Sequence, residues 1–167
     1  MLLNDILGGS SLSSRLGGQI RSTLGLAYSV YSSFGFSADY GIFFIFAQTK
    51  TESVDSVLSE VKKQLSDLVQ GDSLTQEELE EHRSSFLNSL YSSLEPLKDY
   101  VSQEARFAFL GYPKNYLQKF RKEIKKVKLS DLKKVAKNYI KSEDLKILVL
   151  GPDSLKLPKA WKEIHAD

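Results

Sequence analysis

There is no cysteine in this chain of 167 residues, and there are only 2 histidines, 4 prolines, 1 tryptophan and 1 methionine. Without cysteine, disulfides and thiolate metal sites are excluded, which fits a reducing or redox-indifferent location and leans toward the cytoplasm. Histidine is confined to His82 and His165, so a Ser-His-Asp triad has two candidate bases, and no serine stands in a Gly-x-Ser-x-Gly elbow. No apolar run is long enough to span a bilayer. The opening Met1-Leu2-Leu3-Asn4-Asp5 has neither a basic leader nor a long apolar stretch, so no signal peptide is expected. A mature exported chain would share that property, and the compartment stays open.

What is present is ordinary for a soluble globular domain: 41% hydrophobic and 26% charged residues, in a length suited to one core. The net charge of +2 hides an asymmetry. Residues 52–104 hold 12 acids against 4 bases, a net of −8, and residues 114–146 hold 12 bases against 4 acids, a net of +8. A basic third raises nucleic acid as a partner. Its lysines, however, interleave with Leu117, Phe120, Ile124 and Val127 at helical spacing, the pattern of an amphipathic helix with a solvated face. No nucleic-acid partner is expected.

Along the chain, Leu12, Leu16, Ile20 and Leu24 recur every four residues and predict a helix stopped by Gly25. Gly17 and Gly18 lie inside that pattern at a cost of about 1 kcal/mol each, which points to close backbone packing or ligand approach. Residues 27–36 alternate as a strand with Tyr28, Val30, Phe34 and Phe36 on one side, and Asp39-Tyr40-Gly41 reads as a turn. Residues 42–47 are apolar on both faces, as a central buried strand would be.

Val54, Val57, Leu58, Val61, Leu65 and Leu68 predict a helix closed by Gly71. The next opens at Thr75-Gln76-Glu77-Glu78 in capping-box form and carries Leu79, Phe86, Leu87, Leu90 and Leu94 until Pro96 ends it. Helices near 98–110, 114–127 and 130–140 follow, and residues 145–151 read as a strand returning to the sheet. The expected fold class is α+β: an antiparallel sheet of about three strands packed against several helices, with residues 1–152 as one domain and 153–167 as a tail.

Glu78-Leu79-Glu80-Glu81-His82 looks like the zinc motif His-x-x-Glu-His with glutamate in place of the first histidine. A Glu/His pair at i, i+4 shares a helix face and could ligate zinc, but three or four ligands are needed and two are visible. The stronger reading is the acidic first turn of a capped helix, where carboxylates favour the macrodipole. No metal site is expected in this chain. His165 reads as an inert tail residue.

More informative is the order Ile6-Leu7-Gly8-Gly9-Ser10-Ser11-Leu12-Ser13-Ser14-Arg15-Leu16, then Gln19-Ile20-Arg21, then Gly25-Leu26-Ala27-Tyr28-Ser29-Val30. With the later Thr75-x-Glu77-Glu78-Leu79 helix, the stretch from Leu129 to Ile140 and Leu150-Gly151-Pro152, it resembles the non-catalytic carboxy-terminal homologous domain of one zinc metallopeptidase family. That family comprises pitrilysin, insulysin and mitochondrial processing peptidase, the inverzincins. The resemblance covers nearly all of residues 2–152, and its specific part runs from Arg21 to Tyr28.

The resemblance implies a LuxS/processing-peptidase-like fold and a split active site. The zinc motif sits in a homologous partner domain or subunit, and the facing half supplies an arginine and a tyrosine, here Arg21 and Tyr28. A guanidinium offers a planar fork to a carbonyl or carboxylate, and a phenol can donate to a developing oxyanion. The bland alternative is a surface charge and an ordinary strand aromatic. The glycine pair Gly8 and Gly9 corresponds to a longer segment that contacts presequences in processing peptidases; it could equally serve as a turn.

Two departures matter. The zinc motif is absent, so zinc is expected only in the partner half and the chain alone does not cleave peptides by the family mechanism. The segment that opens such domains, with its first strands, is missing before Leu2. A strand as apolar as 42–47 would then leave an exposed edge or face, so association with another chain, a second copy or the rest of a longer polypeptide is expected. The rival reading is an inert assembly module of the same fold, as in core subunits of respiratory complex III.

Overall fold

The structure, a computed structural model, describes residues 1–9, 12–36, 40–92, 96–141, 144–152, 155–156, 158 and 161–162. The predicted positions Ser10, Ser11, Asp39, Leu94 and His165 lie outside the described residues.

A short α1 (Leu2–Asn4) runs into a π-turn (Asp5–Gly9), and a second π-helix (Gly17–Thr23) leads to β1 (Ala27–Phe36) and β2 (Gly41–Thr49). The helices α2 (Val54–Gln70), α3 (Gln76–Ser92), α4 (Leu97–Phe109), α5 (Tyr116–Lys126) and α6 (Leu129–Tyr139) follow. β1 and β2 pair antiparallel, with Val30 opposite Ala47, Tyr31 opposite Phe46 and Ser33 opposite Phe44. The first π-turn lies on β1, α2 packs against α6, and α3 bridges the π-turn and α5.

The core forms where these faces meet. Leu2, Leu3, Ile6, Leu7, Leu16 and Ile20 close on Val30, on Val57, Val61, Leu65 and Leu68 of α2, and on Leu132 and Ala136 of α6. The α2 residues are the predicted stripe, and α2 ends at Gly71, whose N–H reaches Asp67 O at 3.2 Å. The α+β class matches the sequence reading.

Four expectations change. The sheet has two strands among the described residues, not three. Residues 145–150 keep the alternation, with Leu145, Ile147 and Val149 half-buried and Leu150 99% exposed, yet they join no ladder. Alternation marks a strand-competent chain, but a strand forms only where a neighbour's backbone offers donors and acceptors; Leu145 packs on the core instead. β2 is not a buried central strand, since Ile42, Phe43, Phe44 and Phe46 are exposed and, among the described residues, no third strand pairs with its outer edge.

The run of Leu12 to Leu24 is not one buried stripe. Leu16 and Ile20 are buried, but the π-helix ends at Thr23 and both Leu12 and Leu24 turn out to solvent. Finally, Tyr28 and Val30 do not share a face. β1 advances two residues between Ala27 and Ser29 while β2 advances one, so Tyr28 is the extra residue of a β-bulge. A bulge resets the alternation and re-aims its side chain, leaving Tyr28 78% exposed while Ala27 and Val30 are buried.

Candidate functional site

Ser14 starts the segment that carries Arg21. Its buried hydroxyl accepts from the Gly17 N–H at 3.3 Å, and its carbonyl accepts from the Gly18 N–H at 2.7 Å. The helix then widens to π geometry, a form often found at functional sites. Thr23 Oγ1 donates back to Gly18 O at 3.0 Å, and Leu24 N–H to Gln19 O at 3.0 Å. Gly25, at φ +62, turns the chain through the left-handed region, and Leu26 N–H returns to Ile20 O at 2.9 Å. The Leu26 carbonyl is in turn held by the Thr49 hydroxyl of β2. Both ends of the turn are therefore tied, one to the helix and one to the sheet.

That geometry brings Arg21 and Tyr28 together. Arg21 lies in the last turn of the π-helix, and its Cζ stands 5.8 Å from the centroid of the Tyr28 ring. A cation over an exposed aromatic contributes about 0.5–1 kcal/mol, enough to bias the two side chains toward one another without burying either. Among the described residues no carboxylate bridges Arg21. Its N–H fork and the Tyr28 hydroxyl thus face outward from one rim.

The glycine pair is set apart from that rim. Gly8 is buried: a Cβ there would come within 2.5 Å of Ser32 N and 2.9 Å of Leu16 Cδ1, so glycine is what lets the π-turn lie directly on β1. Gly9 is exposed, and a Cβ on it would meet Asn4 Nδ2 at 2.8 Å. Ser32 lies four residues beyond Tyr28, roughly 13 Å at the strand rise. The structure does not bring Gly8 into contact with Arg21 or Tyr28; packing accounts for it.

The residues Glu78 and His82 share a face of α3 but serve different partners. Arg15 Nε and Nη2 each reach the Glu78 carboxylate at 2.7 Å, and the same guanidinium bonds Ser73. His82, 3% exposed, places Nδ1 2.8 Å from Asp5 Oδ2. That hydrogen bond raises the His82 pKa above its ordinary value, burial opposes it, and the charges of Asp5, Glu78 and Glu81 add to the rise. Thr75 Oγ1 accepts from Glu78 N–H at 3.1 Å as the capping motif requires, although the Glu78 carboxylate goes to Arg15 instead of back to Thr75. The two groups fit a pair of clamps and not a zinc ligand set. No cluster of three or more His, Cys, Asp or Glu suited to a metal occurs among the described residues.

The clamps Asp5–His82 and Arg15–Glu78 span 77 and 63 residues. No local pattern in the sequence announces them, although Arg15 stands inside the motif that carried the family resemblance.

Residues 1–86 match the family model described as the peptidase M16 inactive domain. The chain belongs to that family. Among curated relatives, an uncharacterized zinc protease of Bacillus subtilis, YmxG, is 30% identical over 152 residues, covering 91% of this chain and 36% of that protein. A Helicobacter pylori protein named a non-peptidase homolog is 28% identical over 146 residues, covering 87% of this chain and 33% of its own length. Among solved structures, a peptidase M16 inactive domain from Pseudomonas fluorescens superposes with a TM-score of 0.75 at 28% identity, covering 84% of this chain and 33% of that one. The chain thus spans about a third of the length of these relatives. The M16 inactive domain seen here has, among its described residues, no helix long and apolar enough to cross a membrane.

Proposed function

We propose that this M16 inactive domain is the substrate-facing, non-zinc half of a peptide-cleaving zinc protease, acting opposite a zinc-bearing homologous domain or subunit. The observation that carries this reading is the apposition of Arg21 and Tyr28 across the π-helix-to-strand turn. Residues 1–152 form the domain and 153–167 its tail. Zinc and its ligands belong to the partner half; no residue set described here fits the ion.

In this reading Arg21 holds the substrate backbone, its fork donating to a peptide carbonyl or carboxylate. Tyr28 donates its hydroxyl to the scissile carbonyl as negative charge develops on oxygen. The bulge supports that role, because it fixes the ring at the end of a paired strand while turning it to solvent. Gly9, exposed at the end of the first π-turn, is the member of the glycine pair that substrate would reach. The outer edge of β2, unpaired among the described residues and bearing exposed Ile42, Phe43, Phe44 and Phe46, is a surface through which the domain would meet its partner or a second copy.

The test is cleavage of a quenched fluorescent peptide library by this chain mixed with its zinc-bearing half. Tyr28→Phe, which keeps the ring and removes one donor, is expected to lower kcat by roughly 10²–10³. Arg21→Ala is expected mainly to raise KM. Unchanged cleavage by the double variant would sink the proposal.

A second reading, an inert assembly module, is favoured by one observation: the Helicobacter pylori relative is named a non-peptidase homolog. A mixture that forms a stable complex yet cleaves nothing would select it.

A further inference from the structure

A cavity of about 370 Å³ opens between α4 and α5, lined by Tyr100, Glu104, Lys114, Asn115, Gln118 and Arg121 together with the buried Leu117. Its chemistry is lopsided. Two cations and three neutral groups able to donate surround a single carboxylate, Glu104, and neither Lys114 nor Arg121 forms an ion pair among the described residues. Arg121 is also held in place. Its Cζ lies 3.8 Å from the centroid of the Tyr91 ring, and its Nε–H is buried without a hydrogen-bond partner. Orphaned buried donors are rare enough to require an explanation, and an immobilised guanidinium with an unused edge is preorganised for an oxyanion. Asn115 adds to this, since its side chain makes no capping hydrogen bond to α5.

We propose that this cavity binds a carboxylate at the end of an apolar group, the chemistry of a peptide C-terminus. Charge balance selects the anion: two cations against Glu104 leave one positive charge to neutralise, which suits a monoanion better than a phosphate dianion. Lys114 and Arg121 supply charge-assisted hydrogen bonds, the amides of Asn115 and Gln118 complete the shell, and Leu117 with the Tyr100 ring receives the apolar group. The proposal uses none of the residues assigned to the Arg21–Tyr28 rim and stands whether or not that assignment holds.

The experiment titrates the chain with N-acetyl-phenylalanine, its carboxamide and inorganic phosphate, following arginine Nε–H resonances by NMR. The free acid is expected to shift the Arg121 signal and the carboxamide to leave it in place. Arg121→Gln and Lys114→Gln should each weaken binding of the acid by about tenfold or more. Lys114 is exposed, so its variant keeps the test decisive even where Arg121→Gln perturbs the fold. Equal shifts from acid and carboxamide, tighter binding of phosphate, no shift from any probe, or full affinity in Lys114→Gln would each overturn the proposal.

Discussion

Two amphipathic helices of this domain have opposite fates. α2 turns Val57, Val61, Leu65 and Leu68 into the core, whereas α4 carries an apolar stripe of the same kind and buries no residue. Leu97 and Val101 stand in solvent, and Phe109 is 90% exposed. Around its end, Phe107 meets Tyr112 and Tyr116 edge to face, and Tyr116 stacks on Phe120, so the aromatic layer shields itself more than the helix. Amphipathicity says that a face is suited to burial. It does not say what covers it, and a stripe that stays uncovered marks surface available to a partner.

The comparison breaks first at the centre of α2. Leu65 is fully buried, and Leu65→Ala should destabilise the domain by about 2–5 kcal/mol through lost burial and a residual cavity. Val101→Ala on α4 should stay within about 0.5 kcal/mol. Urea midpoints of the two variants measure the difference, and equal losses would mean that α4 is covered in solution.

A smaller effect is expected where the first π-turn meets β1. Gly8→Ala sets a methyl against the backbone nitrogen of Ser32, which cannot rotate away, and about 1–3 kcal/mol should be lost as the turn lifts. Thermal melts check this, and Gly25→Ala offers a contrast, because nothing crowds that position and only its positive φ is strained.

The smallest effect is pH-dependent. His82 has a raised pKa through Asp5, so protonation favours the folded state. Its contribution is fully present below the ordinary histidine value of about 6.5 and is lost as the pH climbs through the raised value. His82→Gln should therefore cost about 1 kcal/mol at low pH and less at alkaline pH, flattening the stability profile. Denaturation midpoints across that range give the answer; parallel profiles for both proteins would assign the titration elsewhere.

Parts of this were legible in the chain and parts were not. Val57, Val61, Leu65 and Leu68 announced α2, and the period-two pattern with its aromatics announced the hairpin, because each signal lies within one element. The pairing of Arg21 with Tyr28 was reachable because only a turn separates them. The bulge at Tyr28 was not, since a bulge is a mismatch between two strands and neither strand carries it alone. Residues 145–150 look like a strand for the same reason that they fail to be one here: alternation is local, and a ladder needs a neighbour.

By itself, then, the sequence determined the α+β class, the buried stripe of α2, the absence of a zinc motif and the family. Those follow from residue type and spacing along one backbone. Only the tertiary structure decided that Tyr28 points outward, that Glu78 and His82 clamp Arg15 and Asp5 instead of sharing a metal, and that α4 remains uncovered. Each of those depends on what a residue meets across tens of positions of chain, and local spacing carries no record of such meetings.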